Sequence, residues 1–324
     1  MQKKITKSSI TEICEQLKSA NKIAVFCHTR PDGDALGSGM ALTTALNNAG
    51  KFAVRLCDDA VPEKYLFLPK LAEVKSKLPE GVEFDTFICV DCADVNRIGA
   101  FANSFLSFRG RKLNIDHHIS NKKFADFNYV EECPATCQIL TEILFKAFEI
   151  DREIADLLML GLITDSGNFT HSDVTDKTFE VASELRGLGA DVNQINFQMF
   201  SRQTKARALL FGKVLNSMRF ALDDRLTFLV VPLDYFGSSS VDSAITEGFV
   251  DYPLSIDGVE VSVSLLEVKK CQYKISLRSK GKVNVNAVAG TFGGGGHILA
   301  SGCMLNGALE EVIEKLTYAV FQNL

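Results

Sequence analysis

The chain has 324 residues, 46% of them hydrophobic and 23% charged, which at roughly 150 residues per domain is enough for two separate cores. Lys and Arg total 35 against 40 Asp and Glu, a net charge of −5 and a pI near 5.7, which excludes a continuous basic track for long nucleic acid. No stretch approaches the ~18 uninterrupted apolar residues of a membrane helix, and the opening MQKKITKSSITEICEQL has neither the apolar core nor the cleavage site of a signal peptide, so no membrane association and a cytoplasmic location are expected.

In chain order, Ser9-x-x-Glu12 offers a capping box to a first helix with Ile10, Ile13, Cys14 and Leu17 on one face. The apolar runs KIAVFC (22–27), FAVRLC (52–57), DTFICVD (85–91) and KLNID (112–116) read as buried strands, with a helix ending near Gly50 between the first two. Helical spacing dominates 134–164 and 176–189, and 191–220 reads as a helical linker. Thereafter RLTFLVVPL (225–233) reads as a strand, 241–250 as a helix, and VEVSVSLLEV (259–268) with QYKISLRS (272–279) as an antiparallel pair turning at Lys269, Lys270 and Cys271. A short run ASGCML (300–305) and a helix carrying Leu309, Val312, Ile313, Leu316 and Val320 close the pattern. Apolar strands alternating with amphipathic stretches in the first 190 residues indicate an α/β fold with a doubly wound, mainly parallel sheet, and the last 110 a smaller α/β or α+β unit.

The chemical signal lies in the polar residues just past each strand. KIAVFC runs into His28, Asp32 and Asp34; DTFICV into Asp91 and Asp94; KLNI into Asp116, His117 and His118; and the helical LLMLGLIT into Asp165. An aspartate after a strand is most often a turn or cap residue. Four such groups holding three of the 5 histidines are poorly explained by capping, and in open α/β sheets ligands bind beyond the carboxyl ends of the strands. Imidazole and carboxylate donors suit Mn²⁺ or Mg²⁺, with Zn²⁺ or Co²⁺ as substitutes, and the carboxylate count suits two ions sharing a bridging carboxylate. The pairs Cys89/Cys92 and Cys133/Cys137 have zinc-like spacing but lie in apolar surroundings, which favours buried, reduced thiols. In the C-terminal part, Gly293–Gly296 followed by His297 could bring backbone amides close to a phosphate, with Arg278 as a nearby cation.

HTRPDGDALGS, VDCAD, DHH and TDSGNF, in this order, resemble the four motifs of the DHH phosphoesterase family, and KISLRS with GGGGHILASG resembles its DHH-associated C-terminal domain. The resemblance spans essentially the whole chain. It implies a DHH catalytic, metal-binding domain over 1–190, a linker over 191–220 and a substrate-binding domain with a mixed sheet over 221–324, with the active-site cleft between the two. It further implies His28, Asp32 and Asp91 on one Mn²⁺, and Asp34, Asp91, His117 and Asp165 on a second. Catalytic roles would fall to Asp91, Asp116 and His118, with His118 facing the scissile phosphate and Asp116 orienting an imidazole. Arg278, Gly294, Gly295, Gly296 and His297 would hold the substrate.

Length and domain pairing most resemble the nanoRNase type. This implies hydrolysis of RNA of two to five nucleotides to mononucleotides, removal of the 3′-phosphate of 3′-phosphoadenosine 5′-phosphate (PAP), and a homodimer. Short DNA and the linear dinucleotide pApA of cyclic-di-AMP turnover fit the same chemistry. A DHH-type pyrophosphatase would carry a different C-terminal domain, and RecJ-like exonucleases are usually larger. A non-catalytic nucleotide-binding regulator would show lost ligands, whereas every ligand position is filled. His171, just after TDSGNF, matches no required imidazole and reads as a surface or packing residue.

Overall fold

The computed structural model describes residues 8–236 and 243–324, and its chain divides into two compact units, Met1–Arg202 and Gln203–Leu324. In the first, helix α1 (Ile10–Ser19) starts at Ser9, whose hydroxyl accepts the Glu12 amide. Strand β1 (Lys22–Phe26) is buried beyond its first residue, as a central parallel strand requires. Then come α2 (Gly33–Asn48), β2 (Phe52–Leu56), β3 (Thr86–Val90), the short α3 (Ala102–Ser107), β4 (Arg111–Asp116), β5 (Phe127–Val130), α4 (Thr136–Ala147), α5 (Arg152–Asp165), α6 (Asp176–Gly187) and α7 (Val192–Asn196).

The five strands form one wholly parallel sheet in the order β2-β1-β3-β4-β5. Strand order reverses between β1 and β3, and their carboxyl ends lie at that switch point, where open α/β sheets bind ligands. Ile23, Val25, Ile88, Val90, Leu113 and Ile115 face α1, α2, α4 and α5 on one side. Phe26 and Phe87 meet Phe101 and Phe105 on the other. Several of the chain's 23 phenylalanines are therefore spent on covering the second face of the sheet.

Helices α2 and α5 cross through glycine notches. A Cβ on Gly37 would lie 2.3 Å from the Leu157 carbonyl oxygen, and one on Gly161 would lie 2.3 Å from Cys137 Sγ and 2.6 Å from Asp34 Oδ1. The absence of side chains here lets the start of α2 lie against the end of α5, and so Asp34 near Asp165.

Three local expectations differ from the structure. Helical spacing over 134–164 resolves into two helices, with Asp151 capping the second through the Ile154 amide. The stretch 191–220 is not one helix: α7 runs into a π turn (Phe197–Ser201), Arg202 is extended, and α8 (Lys205–Asn216) restarts on the Thr204 cap. Strand β5 lay hidden because FNYV is short, polar in the middle and flanked by Asp126 and Glu131.

In the second unit, β6 (Arg219–Ala221), β7 (Leu226–Val231), β8 (Val261–Lys269), β9 (Gln272–Ser279), α9 (Val285–Gly290), β10 (Gly295–Gly296), β11 (Ala300–Asn306) and α10 (Leu309–Phe321) build a mixed sheet ordered β10-β11-β9-β8-β7-β6. Only the β7–β8 pair is parallel. The β8–β9 hairpin turns through Cys271 at φ 59°. The helix expected over 241–250 is represented by 3-10 turns at Ser243–Thr246 and Phe249–Ser255; residues 241–242 lie outside the described residues. No helix among the described residues is long and apolar enough to cross a membrane.

The glycine notch gives a signed prediction. An alanine inside a helix normally gains up to about 1 kcal/mol over glycine, but at Gly37 the methyl meets a backbone carbonyl that cannot rotate away. Gly37→Ala is therefore expected to destabilise by about 1–3 kcal/mol in urea unfolding. Gly212→Ala in α8, where a Cβ meets nothing within 4 Å, should be neutral or stabilising. Equal effects at the two sites would contradict the notch.

Candidate metal centre

The loop ends of β1, β3 and β4 deliver His28, Asp91 and Asp116 to His118, α2 delivers Asp32 as its N-cap and Asp34 in its first turn, and α5 ends on Asp165. Asp91 sits just past β3 at φ 52°, with its amide bonded to the Ile115 carbonyl. A left-handed non-glycine residue costs on the order of 1–3 kcal/mol. The conformation aims a buried carboxylate at three imidazoles: Oδ2 lies 3.4 Å from His28 Nε2, and Oδ1 lies 3.5 Å from His117 Nε2 and 3.8 Å from His118 Nδ1. Thr136 Oγ1 donates to Asp91 Oδ1 at 3.1 Å.

Backbone carbonyls settle the histidine tautomers. His28 Nδ1 lies 2.8 Å from the Thr29 oxygen and His117 Nδ1 lies 2.9 Å from the Cys133 oxygen. A carbonyl only accepts, so both Nδ1 atoms carry hydrogen, and each Nε2 is the atom left to face inward, with a lone pair whenever the ring is neutral. There it meets more acceptors. His28 Nε2 faces Asp32 Oδ2 and Asp91 Oδ2, both at 3.4 Å. His117 Nε2 is buried, makes no hydrogen bond, and faces Asp91 Oδ1 at 3.5 Å and Asp165 Oδ2 at 3.4 Å. A proton on Nε2, or a cation held in common, relieves the repulsion between these nitrogens and the carboxylate oxygens. Donor atoms sharing one ion at about 2.1 Å sit roughly 3.0–3.5 Å apart, so these spacings fit divalent-ion coordination. His28/Asp32/Asp91 and Asp34/His117/Asp165 each bring three donor atoms within 4.8 Å of one another, and Asp91/His117/His118 form a third such group.

Charge crowding shows in the titration of the groups. Burial and the Asp91 carboxylate push Asp165 up to about 7, and the same two causes hold Asp34 well above the usual carboxylate range. Burial alone would lower His28, but the carboxylates of Asp32 and Asp91 outweigh it and raise the imidazole to about 11. His117 is raised in the same way, Asp91 overcoming burial. Beyond burial, the Asp91 contribution to each shift is crowding of negative charge that positive charge in the site would relieve.

Asp34 has a second task. Its Oδ2 accepts the Thr136 amide at 2.6 Å and its Oδ1 the Cys137 amide at 2.9 Å, while Ala135, the N-cap of α4, has no capping side chain. A carboxylate from α2 thus caps α4. The cysteine pairs contribute backbone: the Cys133 carbonyl holds His117 and the Cys137 amide holds Asp34. All nine thiols are free. Burial pushes Cys133 up to about 12, which disfavours the thiolate that zinc requires.

Beside the donor groups, His118 Nδ1 bonds Asp116 Oδ1 at 2.8 Å, and that bond raises the imidazole. Burial acts to raise Asp116, but its bonds to His118 and Asn121 lower it. His171, which matched no expected role, has its Nδ1 2.8 Å from the Asp165 carbonyl oxygen and its ring over Gly167. It pins the turn after α5, in which Gly167, Asn168 and Phe169 all have positive φ.

In the second unit Arg278 lies on β9, with Nε 3.0 Å from Asp251 Oδ1, beside a cavity of about 400 Å³ also lined by Ser264, Lys274 and Ser276. Ala300 of β11 lies opposite Arg278, and His297 and Ala300 close a turn through reciprocal backbone bonds. The glycine run differs from a simple amide cradle. The Gly293, Gly294 and His297 amides already donate to the Gly290, Ala289 and Ala300 carbonyls. The close approach to β11 explains the glycines: a Cβ on Gly294 would lie 2.2 Å from the Gly302 oxygen, and Gly296 has φ 149°. The Gly295 and Gly296 backbone and the exposed His297 ring remain the candidate contacts of this loop.

Thr136, Asn121 and Asn114 escaped assignment from sequence. Asn121 alone had a local signal, three residues after a strand-end Asp-His-His.

Comparison with known proteins places both domains in a family. Residues 22–162 match the DHH family N-terminal domain and residues 225–323 match the DHHA1 domain. The Bifunctional oligoribonuclease and PAP phosphatase NrnA of Thermus thermophilus is 32% identical over 320 residues, covering 96% of this chain and 93% of that protein. The protein of the same name from Bacillus subtilis is 26% identical over 308 residues, 91% of this chain and 93% of its own. A crystal structure of an exopolyphosphatase-related protein from Bacteroides fragilis superimposes with a TM-score of 0.81 at 28% identity, covering 97% of this chain and 95% of the other. With both domains matched in order and a relative of this identity along nearly its whole length, the chain belongs to the DHH family of phosphoesterases, in the branch that pairs the DHH domain with DHHA1.

Proposed function

We propose that this protein is a divalent-metal-dependent phosphoesterase that cleaves short oligoribonucleotides to mononucleotides and removes the 3′-phosphate of PAP. The observation that carries the reading is the inward pair of His28 and His117 Nε2 atoms, each set against two carboxylates. His28, Asp32 and Asp91 would hold one ion, and Asp34, Asp91, His117 and Asp165 a second, with Asp91 common to both. Two bound Mn²⁺ ions, or Mg²⁺ or Co²⁺ in their place, supply Lewis acidity toward phosphoryl oxygens and lower the pKa of water.

The protein's own groups do the rest. Thr136 and the left-handed backbone hold Asp91 between the two imidazoles. Asp34 is fixed by two amides of α4, so the donor set is rigid before any ligand binds. His118, tied to Asp116 through Nδ1, keeps Nε2 for an oxygen of the scissile phosphate, where it would offset charge growing in the transition state. Arg278, the Gly295–Gly296 backbone and His297 would capture the terminal nucleotide or phosphate of the substrate. Reading one end of a short molecule needs a local anion site, which is compatible with a net charge of −5. The dinucleotide pApA falls within the same class.

End-labelled di- to pentanucleotides and PAP, incubated with Mn²⁺ or with EDTA, test the reading. Mononucleotides and AMP should appear with Mn²⁺ and not with EDTA, and Asp91→Asn should abolish turnover while leaving the circular dichroism spectrum intact. Metal-independent turnover, or turnover by the variant, would contradict it. For Arg278→Ala, loss of one charge-assisted contact should raise KM by an amount equivalent to about 1.5–3 kcal/mol, with a smaller change in kcat. An unchanged KM places Arg278 outside the substrate site.

A further inference from the structure

Asp116 is fully buried, and its two oxygens are used in different ways. Oδ1 takes the His118 Nδ1–H. Oδ2 accepts from Asn121 Nδ2 at 2.6 Å. The same nitrogen lies 2.7 Å from Asn114 Oδ1 and 3.2 Å from the Cys92 carbonyl, and Asn114 Nδ2, wholly buried, reaches the Cys89 and Cys92 carbonyls at 3.4 and 3.3 Å. Asn121 is brought back beneath the end of β4 by a turn in which its amide donates to the His118 carbonyl. Its Oδ1 accepts the Lys123 amide at 2.6 Å, and the Lys122 amide donates to Ala93. One carboxamide therefore joins the loop after β4, which carries His118, to the loop after β3, which carries Asp91.

We infer that Asn121 is a positioning residue for His118: by holding Asp116 Oδ2 it stops the carboxylate from rotating, and the fixed carboxylate fixes the imidazole. A carboxylate bonded only through Oδ1 can turn about its Cβ–Cγ bond and swing the imidazole with it. The Asn121 and Asn114 carboxamides, themselves held by strand-end carbonyls, remove that freedom. The inference rests on the proposed phosphoesterase reading, in which His118 Nε2 contacts the scissile phosphate. It predicts that Asn121 matters to turnover only while His118 is present.

A double-mutant cycle on the full-length, Mn²⁺-supplemented protein with a labelled dinucleotide tests this directly. Asn121→Ala should lower kcat by roughly 10–100-fold, the usual loss when the partner orienting a functional imidazole is removed, with KM within about twofold. In a His118→Ala background the same substitution should cost less than about twofold. Asn121→Asp, which keeps the size but sets a like charge against Asp116, should match Asn121→Ala and serves if that variant folds poorly. Proton NMR without added metal gives a second readout. The slowly exchanging His118 Nδ1–H resonance should broaden in either variant, while that of His117, bonded to the Cys133 carbonyl, should persist. Equal losses in the wild-type and His118→Ala backgrounds, or a His118 resonance unchanged by both substitutions, would overturn the inference. A wild-type protein that cleaves no dinucleotide but shows the resonance change would refute the phosphoesterase reading and leave the Asn121–Asp116–His118 coupling standing.

Discussion

A buried carboxylate held between two imidazoles that both turn Nε2 toward it is the constraint on which the first unit depends. Asp91 occupies this place because β3 ends at the switch point of the sheet and because its backbone takes a left-handed turn there. Neither feature favours stability by itself. Burying Asp34 and Asp165 beside the Asp91 carboxylate is costly, and burial together with that charge shifts both upward. The fold accepts this because each group is tied by a bond that points the remaining donor atom inward: Thr29 and Cys133 carbonyls for the imidazoles, the start of α4 for Asp34, and Asn121 for Asp116.

Packing serves the same end. The α2–α5 crossing is close because Gly37 and Gly161 leave room for it, and its consequence is the position of Asp34 relative to the end of α5. The phenylalanine layer against the opposite face of the sheet supplies burial for β1 and β3, whose ends must stay put. Rigid strands with functional residues just past their ends place side chains more accurately than mobile loops could.

Much of this was legible in the sequence. The four apolar strands and the acidic or imidazole groups after them emerge from pattern alone, and the structure brings His28, Asp32, Asp34, Asp91, His117, His118 and Asp165 together as donor groups. The illegible part is contact between residues distant in sequence. Nothing near Asp34 announces that it caps a helix a hundred residues later, and nothing near Gly37 announces Leu157. Gly293–Gly296 suggested free amides, whereas close approach to β11 and internal turns use several of them. The long amphipathic run of 191–220 is interrupted at the extended Arg202, although helical spacing persists on both sides of it. The motifs pointed to the donor side chains; the bonds that orient those side chains emerged only from the fold.

Calorimetric titration of the metal-free protein with Mn²⁺ tests the central claim most directly. The account predicts two ions per chain for the wild type, loss of affinity at both sites in Asp91→Asn, and loss at one site only in Asp32→Asn. A single ion per chain, or two ions bound with unchanged affinity by Asp91→Asn, would contradict a centre built around a shared carboxylate.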